Sequence, residues 1–211
     1  MRQLTHPEVK RERHQLPFSL LCSGWRDPLN VGAAFRLADA AGLQLILSDG
    51  TPQPPHPKIA RTARSTERSV DWKSVARAQD FLLDFRRLRH RCRNPRTSTG
   101  SDPSQKDLIR AEGQEHETGI HAKVPALPGY VLAFEITDQS TSLLDYQLPA
   151  EVVSGQQALC LVPGAEAQGV SQELLDLCDA SVHLPMYGQN SSMNVGVALG
   201  AAVYLLLATW R

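Results

Sequence analysis

The sequence predicts an α/β domain built on a parallel β-sheet that is flanked by helices. Short apolar runs alternate with segments whose apolar residues recur at helical spacing, and this alternation is typical of parallel strands joined by helical crossovers. Each apolar run is continuous, as expected for a strand that is buried on both faces. At 211 residues the chain has the size of one domain with a sizeable core. The five runs read FSLLCSG, LQLILSDG, YVLAFEI, ALCLVPG and SVHLP, in chain order.

Helices are predicted between and after these strands. The first follows the turn WRDP, and Gly42 stands where a left-handed glycine would end it. A second, amphipathic helix is predicted from Val75 to Leu88. Ser171 suits the N-cap of a third helix, and the apolar segment 197–210 predicts a C-terminal helix. The first helix is indicated by the spacing of Val31, Ala34, Phe35, Ala38 and Ala41.

Three segments do not fit the pattern of strands and helices. Residues 1–15 form a polar N-terminal arm ahead of the main domain, residues 16–211. The stretch TPQPPHP is too rich in proline to form regular structure. Residues 91–126 are polar and charged and lack periodicity, so we expect an insertion that forms a mobile surface loop.

Composition restricts the possible functions. Apolar residues make up 42% of the chain and charged residues 21%, as in soluble globular proteins. The formal net charge is zero, so any binding of nucleic acid must come from local clusters of basic residues. The four cysteines form no CxxC pair and no secretory signal is recognisable, which favours reduced thiols in the cytoplasm. Residues 197–210 are too few to span a bilayer, and the seven histidines lack metal spacing, so neither a membrane nor a metal is expected.

Polar clusters follow three of the predicted strands. They read DPLNVGAAFRLADAAG after the first strand, GAEAQGV after the fourth and PMYGQNSSMNVGVA after the fifth. Because the carboxyl ends of parallel strands meet at one edge of a sheet, we expect the three clusters to lie close together and to form a ligand pocket there.

The three clusters resemble the signature motifs of the SpoU (TrmH-like) RNA ribose 2′-O-methyltransferases, within the SPOUT superfamily. The resemblance covers about residues 16–208, with the insertion as an interruption. It implies a deep C-terminal trefoil knot, S-adenosylmethionine as the cofactor and a homodimer. The matching residues are Asn30, Gly32 and Arg36 in the first motif, Gly164, Glu166 and Gly169 in the second, and Pro185, Met186, Ser192, Met193 and Asn194 in the third.

The resemblance also implies catalytic roles. Arg36 would act on the ribose 2′-hydroxyl, and since a guanidinium keeps its proton in proteins, orienting the hydroxyl and an adjacent phosphate suits it better than acting as a base. Asn30 and Asn194 would hold Arg36 and the ribose, although each could equally cap a helix or form a turn. Glu166 would pair with this donor network, and its alternative is a solvated loop carboxylate. The implied catalytic set is Arg36, Asn30, Glu166, Ser192 and Asn194.

The implied cofactor pocket lies in the loops that follow the strands. Gly164 would let the backbone approach a ligand closely, whereas the alternative for Gly164 and Gly169 is two ordinary turn glycines. The implied set is Phe134, Glu135, Gly164, Leu184, Met186, Ser192 and Met193.

Two basic segments are candidates for contact with RNA. Lys58, Arg61, Arg64 and Arg68 recur at intervals of three or four residues, so they share one face if the segment is helical, and such a stripe can follow a phosphate backbone. A solvated face with local ion pairs, for example to Glu67, is the alternative. The segment RRLRHRCRNPR has six arginines in eleven residues, but acidic residues follow it and can neutralise it.

The function predicted from this reasoning is S-adenosylmethionine-dependent methylation of a ribose 2′-hydroxyl in structured RNA, either tRNA or rRNA. The alternatives are a non-catalytic RNA-binding or assembly module on the same fold, and a SPOUT enzyme that methylates a base. A homodimer is expected because the last helix is apolar almost all round and needs cover on more than one face. A helix buried within one chain under the N-terminal arm is the alternative.

Overall fold

A computed structural model describes residue 2 and residues 16–93, 127–189 and 192–210. The N-terminal arm beyond residue 2 and residues 94–126 of the predicted insertion lie outside this part of the chain. Helix α3 (Ala78–Arg93) includes residues 91–93, which were predicted to belong to the insertion. The expected mobile loop therefore does not include residues 91–93.

Seven parallel strands form one sheet, as the sequence predicts for an α/β fold. Their order across the sheet is β3-β2-β1-β6-β4-β7-β5, and every pairing is parallel. The strands that lead into the first and second motifs, β1 and β6, are thus neighbours, and β4 separates β6 from β7, which leads into the third motif. The strands are β1 (Phe18–Ser23), β2 (Gln44–Ser48), β3 (Trp72–Ser74), β4 (Gly129–Phe134), β5 (Thr141–Ser142), β6 (Ala158–Pro163) and β7 (Ala180–His183).

Helices cover both faces of the sheet. One apolar core lies between the sheet and a face of α1 and α6, with Phe35 and Val203 fully buried in it. The other core includes Leu82 of α3 and Leu174 of α5. The helices are α1 (Pro28–Ala41), α2 (Pro57–Ala63), α3 (Ala78–Arg93), α4 (Ala150–Val153), α5 (Gln172–Leu175) and α6 (Val195–Ala208).

Capping residues that can be recognised in the sequence fix both ends of α1. The Asp27 side chain accepts a hydrogen bond from the Leu29 amide, and Pro28 occupies the first turn, where its missing N–H costs nothing. Gly42 ends the helix in the left-handed conformation, with φ of 68°, and its amide donates to the Ala38 carbonyl. The first motif therefore lies on a helix with a well-defined start.

The predicted start of the second helix was wrong, and the single helix on which a shared basic face would depend does not form. Residues 72–74 form the edge strand β3, and α3 begins only at Ala78, so Val75 lies outside the helix. The segment 58–68 is not one helix, because α2 ends at Ala63 and Arg64 and Ser65 are left-handed, with φ of 57° and 73°. A short 3₁₀ turn, Thr66–Arg68, follows.

The described part of the chain contains no helix with the length and apolar character needed to cross a membrane. Cys22 and Cys160 are free and fully buried, and burial raises the pKa of both thiols. Cys178 is free and half-buried, and its pKa is raised to about 12, mainly by burial. These three thiols are therefore protonated and unreactive at neutral pH.

Candidate active site at the carboxyl ends of the strands

The first and second motifs meet directly. Asn30, in the first turn of α1, donates a hydrogen bond of 2.7 Å from Nδ2 to Glu166 Oε1, across a sequence separation of 136 residues. The contact forms because β1, which leads into α1, pairs with β6, which leads into the Glu166 loop. The structure thus brings together two of the predicted catalytic residues.

Glu166 is presented by a short closed loop. Ala165 and Gly169 exchange two backbone hydrogen bonds, of 3.0 and 2.9 Å, which pin the two ends of the loop together. Gly169 has φ of 63°, a conformation that glycine adopts without strain. The loop therefore holds Glu166 at a fixed place beyond the end of β6.

Glu135 packs against both glycines of the second motif. Its carboxylate accepts hydrogen bonds from the Ile136 amide at 2.9 Å and the Val170 amide at 3.1 Å. A Cβ atom at Gly164 would lie 2.0 Å from Glu135 Oε2, and one at Gly169 would lie 2.5 Å away. The absence of a side chain at Gly164 thus leaves room for a carboxylate of the protein itself, that of Glu135. The sequence did not indicate this contact.

The ends of β4, β6 and β7 lie side by side, so predicted cofactor residues from separate segments are neighbours. Phe134 pairs with Pro163 and with Val182, and the Gly164 amide donates to the Phe134 carbonyl at 3.2 Å. Leu184 and Met186 are half-buried in the segment that follows β7. Residues 190 and 191 of the third motif lie outside the described residues.

Asn194 acts as the N-cap of α6. Its Oδ1 accepts hydrogen bonds from the Gly196 amide at 3.0 Å and the Val197 amide at 3.3 Å. This is the helix-capping role considered as the alternative to contact with Arg36. Ser192 and Met193, just before it, are exposed.

Arg36 is exposed on α1 and forms no hydrogen bond or ion pair with any other described residue. It lies one helical turn after Gly32, so both residues are on one side of α1. Helix α2 crosses α1 at Gly32, where a Cβ atom would lie 2.7 Å from Thr62 Cβ and 2.9 Å from the Ile59 carbonyl oxygen. Gly32 thus permits a close approach of α2 to α1, one helical turn before Arg36.

The four predicted RNA-binding cations are all exposed, but they do not share one helix. Lys58 and Arg61 are on α2, Arg64 follows its last turn, and Arg68 ends the 3₁₀ turn. Arg68 lies 3.9 Å from Glu67, the local pairing considered as an alternative. The cations form an exposed basic surface around α2, which we call the α2 basic surface.

His183 is a site-adjacent residue that sequence reasoning missed. Its Nδ1 lies 2.9 Å from Ser140 Oγ, which itself lies 2.9 Å from the Thr137 carbonyl oxygen. The contact ties the loop after β4 to the last residue of β7. No spacing of the histidines in the sequence signals this pair.

Two adjoining cavities open at the carboxyl ends of the strands. They share Gly24, Arg26, Ala165 and Gln168 as a common wall. The motif cavity, of about 280 Å³, is lined by both Asn30 and Glu166. The Asp49 cavity, of about 350 Å³, lies between the ends of β1, β2 and β6 and was not predicted. Its polar lining includes Ser23, Arg26, Asp49, Arg77, Gln79 and Glu173.

Metal chemistry has no evident ligand set in the described residues. No group of three histidine, cysteine, aspartate or glutamate side chains within residues 16–93, 127–189 and 192–210 is arranged to hold a metal ion.

Residues 125–204 match the model of the SpoU rRNA Methylase family. Among curated relatives, the chain is 29% identical over 188 residues to the 23S rRNA (guanosine(2553)-2′-O)-methyltransferase RlmP of Bacillus subtilis, covering 89% of this chain and 56% of the relative. It is 27% identical to the 23S rRNA (guanosine-2′-O-)-methyltransferase RlmB of Escherichia coli K12, covering 89% and 58%. The chain thus spans somewhat more than half the length of these relatives.

Solved structures show the same fold. The A. aeolicus TrmH/SpoU tRNA modifying enzyme superimposes with a TM-score of 0.63 at 18% identity, over 94% of this chain and 81% of that one. The SpoU methyltransferase AviRb from Streptomyces viridochromogenes, crystallised in complex with AdoMet, gives 0.63 at 20% identity, over 93% and 61%. The resemblance predicted from the three motifs is confirmed.

Proposed function

We propose that the chain is a SpoU-type, S-adenosylmethionine-dependent methyltransferase that modifies a ribose 2′-hydroxyl in structured RNA. The observation that carries the proposal is the hydrogen bond between Asn30 and Glu166, which assembles two motifs beside a cavity. The curated relatives are named as guanosine 2′-O-methyltransferases of 23S rRNA, so a guanosine in rRNA is the substrate we favour.

In this proposal the residues of the chain orient the ribose. The carboxylate of Glu166 holds the Asn30 amide, leaving the Asn30 carbonyl oxygen available to a ribose hydroxyl. Arg36 has five N–H donors and no partner among the described residues, so it can bind the 2′-oxygen together with a neighbouring phosphate. Fixing the hydroxyl and phosphate in one geometry supplies the positional part of catalysis. The phosphate is the base of choice for the leaving proton, because the guanidinium keeps its own.

The cofactor would be held at the ends of β4, β6 and β7. S-adenosylmethionine supplies a methyl group on a positively charged sulfur. Gly164 and Gly169 leave room for the Glu135 carboxylate, which is held in place by its hydrogen bond from the Val170 amide. This site fits such a ligand, because a fixed carboxylate can accept hydrogen bonds from its hydroxyl or ammonium groups. The residues we assign to this pocket are Phe134, Glu135, Gly164, Leu184, Met186, Ser192 and Met193.

We further propose the deep trefoil knot of the SPOUT fold within one methyltransferase domain, residues 16–211. The strand order supports it: β6 and β7 pair with opposite edges of β4, so the chain leaves one side of β4 and returns on the other. The segments that would form the knotted loops are those assigned to the cofactor.

The proposed partners are RNA and a second copy of the chain. The α2 basic surface, with Lys58, Arg61, Arg64 and Arg68, would follow the phosphate backbone, and α2 packs against α1 at Gly32, one helical turn before Arg36. Helix α6 exposes Val197 by 61% and Tyr204 by 53%, an apolar face that a partner helix would cover in a homodimer. We expect the cytoplasm as the compartment, since the proposed substrate is made there.

The deciding experiment is transfer of a labelled methyl group to RNA from a strain that lacks the gene, followed by mapping of the modified nucleoside. The proposal requires a 2′-O-methylated nucleoside at one position. A methylated base would favour the base-modifying alternative. Absence of product from every RNA fraction, with RNA binding intact, would favour a non-catalytic module.

A further inference from the structure

The Asp49 cavity is contiguous with the motif cavity but is not explained by the motifs. The two share Gly24, Arg26, Ala165 and Gln168, so a nucleotide whose ribose lies at Asn30 and Glu166 has an open space next to it. The Asp49 cavity measures about 350 Å³, near the lower end of the roughly 300–1,000 Å³ typical of ligand pockets. That is room for one nucleobase turned out of its stack.

Asp49 is held in one orientation at this cavity. It has φ of 53°, and its Oδ2 accepts hydrogen bonds from Ser23 Oγ at 2.7 Å and from the Ala78 amide at 3.0 Å. Its Oδ1 accepts none from the described residues. A carboxylate offers about four acceptor positions, so about two remain for a ligand. The hydrogen bond from the Ala78 amide caps α3. A neutral side chain such as asparagine could accept this bond equally well, so capping does not explain why the residue is a carboxylate.

The lining also carries positive charge, alongside a second carboxylate, that of Glu173. Arg26 and Arg77 both line the cavity, and the Arg77 guanidinium is oriented by a hydrogen bond to the Gln79 side chain. The cavity therefore contains a fixed carboxylate, that of Asp49, which can accept from two N–H groups, and guanidinium groups that can donate to a carbonyl oxygen. Guanine alone among the four RNA bases presents two adjacent N–H donors, at N1 and N2, beside the carbonyl oxygen O6.

We propose that the Asp49 cavity binds the guanine base of the nucleotide that is methylated, with Asp49 accepting from N1–H and N2–H and an arginine donating to O6. This inference rests on the proposed function and adds to it the residue that selects the base. Asp49 is then a specificity-determining residue, whereas Asn30, Glu166 and Arg36 serve the ribose.

The test compares RNAs that carry guanosine or inosine at the mapped position, since inosine lacks only the 2-amino group. Loss of one hydrogen bond to a charged group costs about 1.5–3 kcal/mol, which corresponds to a reduction in kcat/KM on inosine of roughly 10- to 150-fold for the unaltered protein. Asp49→Asn preserves the shape, tolerates the left-handed conformation and still caps α3, but it loses the negative acceptor. In this variant the ratio of kcat/KM for guanosine and inosine should fall to about one, with unchanged cofactor affinity.

The control is Asp71→Asn, the same substitution at an exposed aspartate that lines neither cavity; it should keep the ratio of the unaltered protein. Equal rates on guanosine and inosine before any substitution, a target base other than guanine, or discrimination retained in Asp49→Asn would each overturn this inference alone. An unaltered protein that methylates no RNA overturns the proposed function, and this inference with it.

Discussion

Asn30 and Glu166 form a donor–acceptor pair in which each side chain fixes the other at the wall of the motif cavity. The pair joins the start of a helix to a loop closed by the bonds between Ala165 and Gly169. Neither partner is deeply buried, so the pair contributes little to folding and its value lies in orientation.

Exchanging the two groups tests this orientation. Asn30→Asp alone sets two carboxylates against each other, and methyl transfer should fall by about 10- to 100-fold, the loss of a hydrogen bond to a charged group. Adding Glu166→Gln restores a donor and an acceptor in reversed order, and should recover part of the lost rate. Steady-state kinetics with mapped RNA measures both. Equal rates in the single and double variants would show that the pair does not orient the ribose.

A side chain at Gly164 should remove cofactor binding. The Cβ atom would lie 2.0 Å from Glu135 Oε2, so the carboxylate must leave the Val170 amide and the pocket around Gly164 must change shape. Gly164→Val should therefore lose measurable affinity for S-adenosylmethionine in calorimetry while keeping its circular dichroism spectrum. Gly188→Ala is the matched control, since a Cβ there meets no atom within 4 Å. Normal affinity in Gly164→Val would remove this segment from the cofactor site.

Gly32→Ala should displace α2. The new Cβ would press on Thr62 Cβ and on the Ile59 carbonyl oxygen, and since the latter is backbone the helix itself must move. Overpacking of this kind costs about 1–3 kcal/mol, measurable by urea unfolding. Because the α2 basic surface moves with the helix, RNA affinity should fall while cofactor affinity stays the same. RNA affinity that is unchanged despite lower stability would separate Gly32 from RNA binding.

The α2 basic surface can be tested by its dependence on salt. Each phosphate contact contributes roughly 0.7–0.9 to the slope of log affinity against log salt, so Arg61→Glu with Arg64→Glu should weaken RNA binding and flatten that slope. Cofactor affinity should not change. Lys73→Glu, on the edge strand β3, serves as the control charge reversal and should leave the slope unaltered. A slope unaffected by the double reversal would assign the cations to an ordinary solvated surface.

The exposed face of α6 predicts a dimer. Tyr204→Glu places a charge in that face, so it should convert the dimer to a monomer with little effect on the buried side of the helix, where Val203 and Leu206 pack. Light scattering at micromolar concentration reports the change in mass. If the unaltered protein is already a stable monomer with full methyltransferase activity, the dimer proposal is wrong.

Much of the fold could be predicted from local patterns in the sequence. The five long strands are continuous apolar runs, and Gly42 and Asn194 mark a helix end and a helix start by residue type alone. Strand β3 has no such signal, because it has three residues and both Lys73 and Ser74 are exposed at the sheet edge. Its pairing with β2 is a product of tertiary packing.

The limits of prediction at the site have the same origin. Helical spacing in residues 58–68 is real, but the chain turns through left-handed Arg64 and Ser65, which no spacing reveals. The Asp49 cavity draws its lining from separate loops, so its residues share no spacing either. The motifs were found because each is local; their contact depends on strand order, which the sequence does not display.

The place of β6 between β1 and β4 has a consequence for synthesis on the ribosome. Strand β1 ends at Ser23 and β6 begins at Ala158, so one edge of β1 waits for its neighbour. At about 5–20 residues per second, translation of the intervening chain takes roughly 7–27 s. Throughout that interval, one edge of the apolar strand β1 lacks its neighbouring strand, β6. We therefore expect this protein to engage holding chaperones during translation, with the Asn30–Glu166 pair forming only after most of the chain has emerged.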